Sequence, residues 1–540
     1  MKQHFLFFCA ASMLLPATGC SHSQAPENPR RAAPPPTNLI ARIHFAGAPA
    51  IAADPDSGAF TNLWLSPEAR ALRAQTLDKL ARAPYEFLRS RLYAGVKDQA
   101  ARLRPLVEDL FRAEWRLDVR DATNGSPEFA LAVRLDAARA RLWQTNLAGV
   151  LEDWTKLPAD KIPNGWQLKK HQPPNLIRCV RAGGWLVLGC GQDELPLNDR
   201  TARALTPTAA APRAGKDWLS VEMNWARAGR WLAWTNQPDW TNLPVMKLLV
   251  SARDGNLRLD GTATFPRPPA LDLEPWRLPP TNLLHEPFVS FTAARGFAHW
   301  LEGQPWAQAY ALPPEPGQFF AWALAQAPFQ TYVAVPVSNA TNAVRQLGEK
   351  LAAQFNGRLK ARALGFFETA ANDAEVGWRG LPFVAPFVQA VHEPAGDYLL
   401  AGLFPNSSAV QPPPAALMTE LSRTNLVYYH WEITAERLPQ VLNLSQLALM
   451  LTHHKQLDAQ SAAGKWLHHV GPALGNTVTE ITQTASNELA FTRKAPGGLT
   501  AIELIALANW LEATNFPGCD LRLPPQPPIQ PGGKPARQNH

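Results

Sequence analysis

Residues 424–512 place the tightest constraint on how this chain folds. They open with an apolar and aromatic run, Leu426-Val427-Tyr428-Tyr429-His430-Trp431-Glu432-Ile433, which has the composition of a strand. Helical spacing follows over residues 434–456, then two alternating segments at 477–484 and 488–493. Pro496-Gly497-Gly498 breaks the chain before a last helix that begins Thr500-Ala501-Ile502-Glu503, a capping box. Apolar residues cover most of that helix's circumference, so it is expected to be buried. A strand, a helix and a hairpin cannot bury both faces of their own small sheet, so such units must pack against others.

Looser versions of the same order recur upstream. Residues 39–45 alternate as a first strand, and Ser66-Pro67-Glu68 starts a helix with Ser66 as N-cap. Pro84 is expected to interrupt that helix, with further helical stretches at 85–92 and 99–115. Hairpins are expected around Thr123-Asn124-Gly125-Ser126, Ala182-Gly183-Gly184 and Arg253-Asp254-Gly255. Asp136 caps a helix faced by Trp143, Leu147, Val150, Leu151 and Trp154. Another helix starts at Ser338 and should end at Gly357. The reading is an α+β fold: four or five repeated strand–helix–hairpin units without a strict period, forming antiparallel sheets with helices packed on one face. An N-terminal α+β region (38–265) and a C-terminal one (288–516) flank Pro-rich residues 266–287. A Pro-rich tail, 517–540, is expected to be disordered.

Hydrophobic residues make up 46% of the chain, enough for a sizeable core, and the formal net charge of +7 is spread without basic runs. That distribution excludes the clustered footprint of a nucleic-acid binder. Nucleophile-elbow, zinc-protease, P-loop and dinucleotide motifs do not occur in the sequence. His453-His454 and His468-His469 suggest a metal at first sight, but adjacent helical residues diverge and no carboxylate or cysteine stands at ligand spacing. No metal or other cofactor is expected. Glu222 and Glu432 lie in strands beside aromatic residues. A glycosidase needs two facing carboxylates, whereas a charge on a solvated strand face is the plainer account, so no catalytic residue is assigned.

Cys179 and Cys190 lie on opposite arms of one hairpin. A two-residue Gly183-Gly184 turn would set them diagonally, roughly 7–8 Å apart, longer than a disulfide prefers. A four-residue turn would bring them face to face. A Cys179–Cys190 disulfide and two free thiols both stand as readings, and Cys519 in the tail has no evident partner. Trp143, Trp154 and Trp510 fall on apolar helix faces, while Trp234, Trp240, Trp276 and Trp306 lie in loops or beside prolines, available to pack or to stack on a ligand.

Met1-Lys2 followed by an apolar run over residues 5–15 is too short for the ~20 residues of a spanning helix. Leu15-Pro16-Ala17-Thr18-Gly19-Cys20 closes it and resembles the lipobox of bacterial lipoproteins, with Ala17 where that family usually has Leu. The resemblance implies a signal peptide (1–19) cut after Gly19, a lipid on Cys20 and, with Ser21 rather than Asp next, the periplasmic face of the outer membrane. Pro-rich residues 20–37 would form a tether reaching on the order of 50 Å at about 3.1 Å per residue. The expected function is a lipid-anchored cell-envelope protein, a non-catalytic binding or assembly module. Its partners would be the membrane, through the lipid, and an envelope protein or polysaccharide. The alternative is a polysaccharide-binding protein or glycan-processing hydrolase.

Overall fold

The structure is a computed structural model describing residues 38–518 apart from 93–94, 122–126, 171–174, 193, 206–216, 233–239, 281–282, 285–286, 303–316, 326–330, 382–383, 395, 405–412 and 452–456. The lipobox with Cys20, the tether, His453-His454, Trp234, Trp306, Cys519, the side chain of Trp240 and most of the tail lie outside the described residues.

The alternating segments pair into one antiparallel sheet of 20 strands, so the fold is mixed α+β. The chain lays it down in two passes. In the first, β1 (Leu39–Phe45) pairs with β2 (Trp115–Arg120) on one side and β8 (Leu219–Asn224) on the other. β2 continues to β3 (Glu128–Arg134), and β3 pairs with β7 (Trp185–Gly191). From β7 the sheet runs outward through β6 (Leu176–Ala182), β5 (Gly165–Lys169) and β4 (Asp160–Ile162). On the other side, β8 pairs with β9 (Val245–Arg253) and β9 with β10 (Asn256–Thr264). Asp254 and Gly255 turn that hairpin with φ of 54° and 68°, the left-handed pair that a two-residue turn demands.

The second pass follows the first strand for strand. β11 (Phe288–Arg295) lies between β12 (Gln318–Leu324) and β18 (Leu426–Ile433). β12 pairs with β13 (Thr331–Val337), and β13 with β17 (Gly396–Gly402). β16 (Phe387–Glu393), β15 (Glu375–Arg379) and β14 (Phe366–Thr369) then run outward, while β19 (Asn476–Ala485) and β20 (Glu488–Ala495) continue from β18. Register follows as well. Ala41 sits between Val119 and Met223, and Ser290 between Ala323 and Glu432. Leu219, Val250 and Leu259 share a row, as do Tyr428, Ile481 and Phe491. Even the irregularity at the start of β1, between Leu39 and Ala41, recurs in β11 between Phe288 and Ser290. The two passes meet along β10–β20, where Thr492 donates its hydroxyl to Asp260 at 3.1 Å.

Residues paired across a sheet share a face, so the register also sorts the sheet's two sides. Leu131, Val133, Leu186 and Leu188 face the helices Ala100–Arg112 and Ala137–Thr155 and build a core with Leu103, Leu106, Trp143, Val150 and Trp154. On the same side, Val335 and Val337 receive the helix Ala340–Ala361 through Val344. The helices Thr434–Leu451, Ala462–Val470 and Ala501–Glu512 form a cluster there that takes in Leu63, Ala69 and Leu72 from the start of the chain. Gln75 reaches Glu512 at 2.8 Å across that contact.

On the opposite side, among the described residues, lie two short helices and the Pro-rich segment. The helix Pro196–Leu205 packs on Ala132, Ala182 and Val187, and Ala415–Leu421 on the core around Phe291 and Tyr429. Residues 266–280 run as a strap over this side, with Trp276 and Leu278 against that core, and Leu283 and Leu284 are buried in it. Arg295 lies 4.5 Å over Trp276 and donates to the carbonyls of Glu274, Thr424 and Leu426. Among the described residues the Pro-rich segment's few internal backbone bonds are short-range, from Leu271 to Pro269 and from Leu283 and Leu284 to Pro280.

Three local expectations are corrected. The helix Pro67–Leu88 runs through Pro84, with Leu80, Ala81 and Ala83 buried around it. Proline removes one backbone bond, and burial of that face outweighs the loss. The helix expected to stop at Gly357 continues to Ala361, and its N-cap is Asn339, accepting from the Asn342 amide at 2.9 Å, rather than Ser338. In the last helix Ile502 is 60% exposed while Ala501, Leu504, Ile505 and Ala508 are buried.

Candidate functional site

At the middle of the sheet, the side away from the long helices carries a ladder of charges. Asp118, Arg42, Glu222 and Lys247 stand directly opposite one another on β2, β1, β8 and β9. The signs alternate, so each neighbouring pair is attractive where like charges would repel. The Arg42 guanidinium meets Asp118 at 2.8 Å. The next row runs Arg116, His44, Ser220, Leu249, Asp260 and Thr492. Lys247 is exposed, and Leu249, at 42% exposure, is one of the few large apolar side chains open to solvent among the described residues.

Glu114 gathers the end of this second row. It lies 3.0 Å from His44 Nε2 and 3.1 Å from Arg134, with Arg116 at 3.7 Å. Burial would raise its pKa, but the hydrogen bonds from His44 and Arg134 outweigh that and hold the carboxyl below its ordinary value. Asp217 goes the other way, pushed up by burial and by the neighbouring charge of Asp260.

Glu432 lies on the helix-bearing side, in a sealed polar layer. It accepts from Thr434 Oγ1 at 2.9 Å and from the Ala501 amide at 2.8 Å, and His430 Nε2 lies 3.3 Å away. His430 bonds Thr292 through Nδ1 at 2.8 Å. Beside them Arg493 forms a two-pronged pair with Glu503 at 2.7 and 3.0 Å and donates to Thr479 at 2.9 Å. Burial would raise the Glu432 pKa, but the bond to His430 and the bonds from Ala501 and Thr434 bring it below normal. Burial pushes the Tyr428 hydroxyl up to about 12.

Glu222 and Glu432 are therefore not brought together. They point to opposite sides of the sheet, and the path from β8 to β18 crosses five strand spacings, about 24 Å at about 4.8 Å each. Cys179 stands opposite Leu188, and Cys190 opposite Ile177, the diagonal arrangement of a two-residue turn. Both are free thiols, and burial pushes their pKa values up to about 12 and about 11. His468 and His469 occupy the last turn of Ala462–Val470, with His469 3.5 Å from Glu68. No group of three or more His, Cys, Asp or Glu residues suited to a metal ion is present among the described residues. Trp143 and Trp154 are core residues, Trp510 packs edge-on to Phe516 with ring centres 4.8 Å apart, and Trp276 is covered by Arg295.

Comparison with protein-family models, with curated proteins and with solved structures finds no match to this chain.

The charge ladder escaped the sequence reading apart from Glu222. The alternation of Arg42 and His44, or of Arg116 and Asp118, is visible in the sequence. Which of these residues oppose one another depends on the pairing of β1 with β8, which no local pattern encodes.

Proposed function

We propose that this chain is a lipid-anchored cell-envelope protein whose charged central sheet face binds a protein partner. Cys20 carries the lipid, and residues 20–37 hold the body off the periplasmic face of the outer membrane. The lipobox-like end supports the anchor. No helix among the described residues is long and apolar enough to cross a membrane, so the lipid is the only attachment invoked. The observation that carries the binding role is the division of the sheet's two sides. Helices line one side, long ones toward its ends and the short Trp225–Leu232 behind β1 and β8, while strands β1, β8 and β9 present Arg42, Glu222, Lys247 and Leu249 on the other. Alternating charges favour a partner of complementary pattern and steer its orientation. Of the loop tryptophans that could stack on a polysaccharide, Trp276 is the one whose side chain is described, and its ring is covered by Arg295. A glycan-cleaving role draws no support from Glu222 and Glu432 on opposite sides.

The four segments β1 to β3, β8 to β10, β11 to β13 and β18 to β20 each run strand, helix, hairpin. We read them as repeats of one unit, grouped into two ten-strand copies, and the matching registers support this.

The test compares the wild-type protein with the double variant Arg42→Glu/Lys247→Glu as bait in envelope extracts at low and high salt. A species held by the wild type at low salt, released by salt and not captured by the variant is expected. Equal capture by both would overturn the assignment to this face. Mass spectrometry of the N-terminal peptide tests the anchor: an unmodified Cys20 refutes it.

A further inference from the structure

We propose that Thr341, His392 and Asp397 form a nucleophile–base–acid relay that accepts the acyl group of a small carboxylic ester. The three come from separate elements. Thr341 is the second residue of the helix Ala340–Ala361, which follows β13. His392 and Asp397 stand opposite each other near the turn of the β16–β17 hairpin. The Thr341 hydroxyl lies 2.9 Å from His392 Nε2, and His392 Nδ1 lies 2.8 Å from Asp397 Oδ1. The second Asp397 oxygen accepts the Ala340 amide at 3.1 Å.

These contacts order the donors and acceptors. The Ala340 amide and the bond to His392 hold the Asp397 carboxyl below its ordinary range, so it is an ionised acceptor. Nδ1 therefore donates to Asp397, and in the neutral imidazole Nε2 is left to accept from the Thr341 hydroxyl. A nucleophile bonded to a base, with the base oriented by a third group, is the arrangement that activates a hydroxyl. The first amides of a helix have no acceptor inside it. Here the Ala340 amide goes to Asp397 and the Asn342 amide to the Asn339 side chain at 2.9 Å. The Thr341 amide has no acceptor within the helix, and the helix's positive end favours negative charge beside it.

Capping alone does not require this relay, because Asp397 and Asn339 already serve the helix start. In the matching place of the first pass, the β6–β7 hairpin turns at Gly183-Gly184 and carries no such groups. The His392 side chain is 56% exposed, so an ester can approach from solvent. With the imidazole edge open, the site suits a short acyl group rather than a long chain that needs a pocket.

In the reaction, Thr341 Oγ1 bonds to the carbonyl carbon while its proton passes to His392 Nε2. The ester C–O bond then breaks, and the departing alkoxide takes that proton. Water attacks the acyl-threonine, gives a proton to His392 Nε2, and the acid leaves as Thr341 regains its hydrogen.

The experiment treats the full chain with a fluorophosphonate probe and, separately, with p-nitrophenyl acetate. Expected are one adduct mapped to the Thr341 peptide and a burst of one p-nitrophenolate per chain. Thr341→Ala should abolish both, and Thr341→Ser, a less hindered hydroxyl, should increase labelling. His392→Gln should slow the burst by about 100-fold or more. Unchanged far-UV circular dichroism would show that the variants fold. No adduct on the wild type, or equal labelling of Thr341→Ala, would overturn the proposal and leave the three residues a surface hydrogen-bond chain.

Discussion

The buried pair Arg493–Glu503 offers a sharp test of how the last helix is held. Both side chains are 6% exposed. The Arg493 guanidinium spends three donors on Glu503 and Thr479, and Glu503 also accepts the Thr500 amide at 2.8 Å to close the capping box. Glu503→Ala therefore strands a buried cation and removes one capping bond. Leaving a buried charge without its partner costs about 3–5 kcal/mol, and a lost cap contributes about 1 kcal/mol, so a loss of roughly 4–6 kcal/mol is expected. In the double variant Arg493→Met/Glu503→Leu no buried charge is left over, and an apolar pair can replace a buried ion pair at little cost. The double variant should lie within about 2 kcal/mol of wild type, one of the two capping-box bonds still being absent. Urea unfolding followed by tryptophan fluorescence and circular dichroism measures both, with coincident transitions confirming cooperativity. A Glu503→Ala loss below about 1 kcal/mol, or a double-variant loss equal to the sum of those of Arg493→Met and Glu503→Leu measured singly, would refute the coupling.

Three further outcomes are expected. The folded-state pKa of Glu432 lies below the ordinary 4.5, so its stabilisation is complete above that value and disappears as pH falls through the folded pKa. Glu432→Gln should flatten acid unfolding in that window, and an unchanged acid limb would count against it. Cys179 and Cys190, with pKa values near 12 and 11, should resist iodoacetamide at pH 8 in the native protein and react in urea, as peptide mass mapping would show. Ser66 caps Pro67–Leu88 by accepting the Ala69 amide at 3.0 Å, so Ser66→Ala should cost about 1 kcal/mol in urea unfolding, whereas no change would mean the cap is redundant.

Local grammar was largely legible in the sequence. The run from Leu426 to Ile433 is β18, residues 39–45 are β1, and the Thr500–Glu503 capping box closes with both of its bonds. These signals are short-range: alternation, cap chemistry and turn glycines act within a few residues. Proline misled where packing prevailed, since Pro84 lies inside a helix with Leu80, Ala81 and Ala83 buried around it. β4, β5, β12 and β16 passed unnoticed: the first two are only three and five residues long, and the runs from Gln318 to Leu324 and from Phe387 to Glu393 do not alternate apolar with polar residues. The candidate sites were hardest. Glu222 meets Arg42 only through strands far apart in the chain, and Thr341 meets His392 only because a helix start and a hairpin turn converge. Such meetings are set by tertiary geometry, which adjacent residues do not record.

The seam between β10 and β20 imposes an order on assembly. Residues 256–264 are made long before residues 488–495, their partners in the finished sheet. Until those late residues arrive, the early half presents a bare row of amides and carbonyls, an invitation to pair with the wrong neighbour. A chain built this way gains from being kept apart from its siblings until its final hairpin has been delivered.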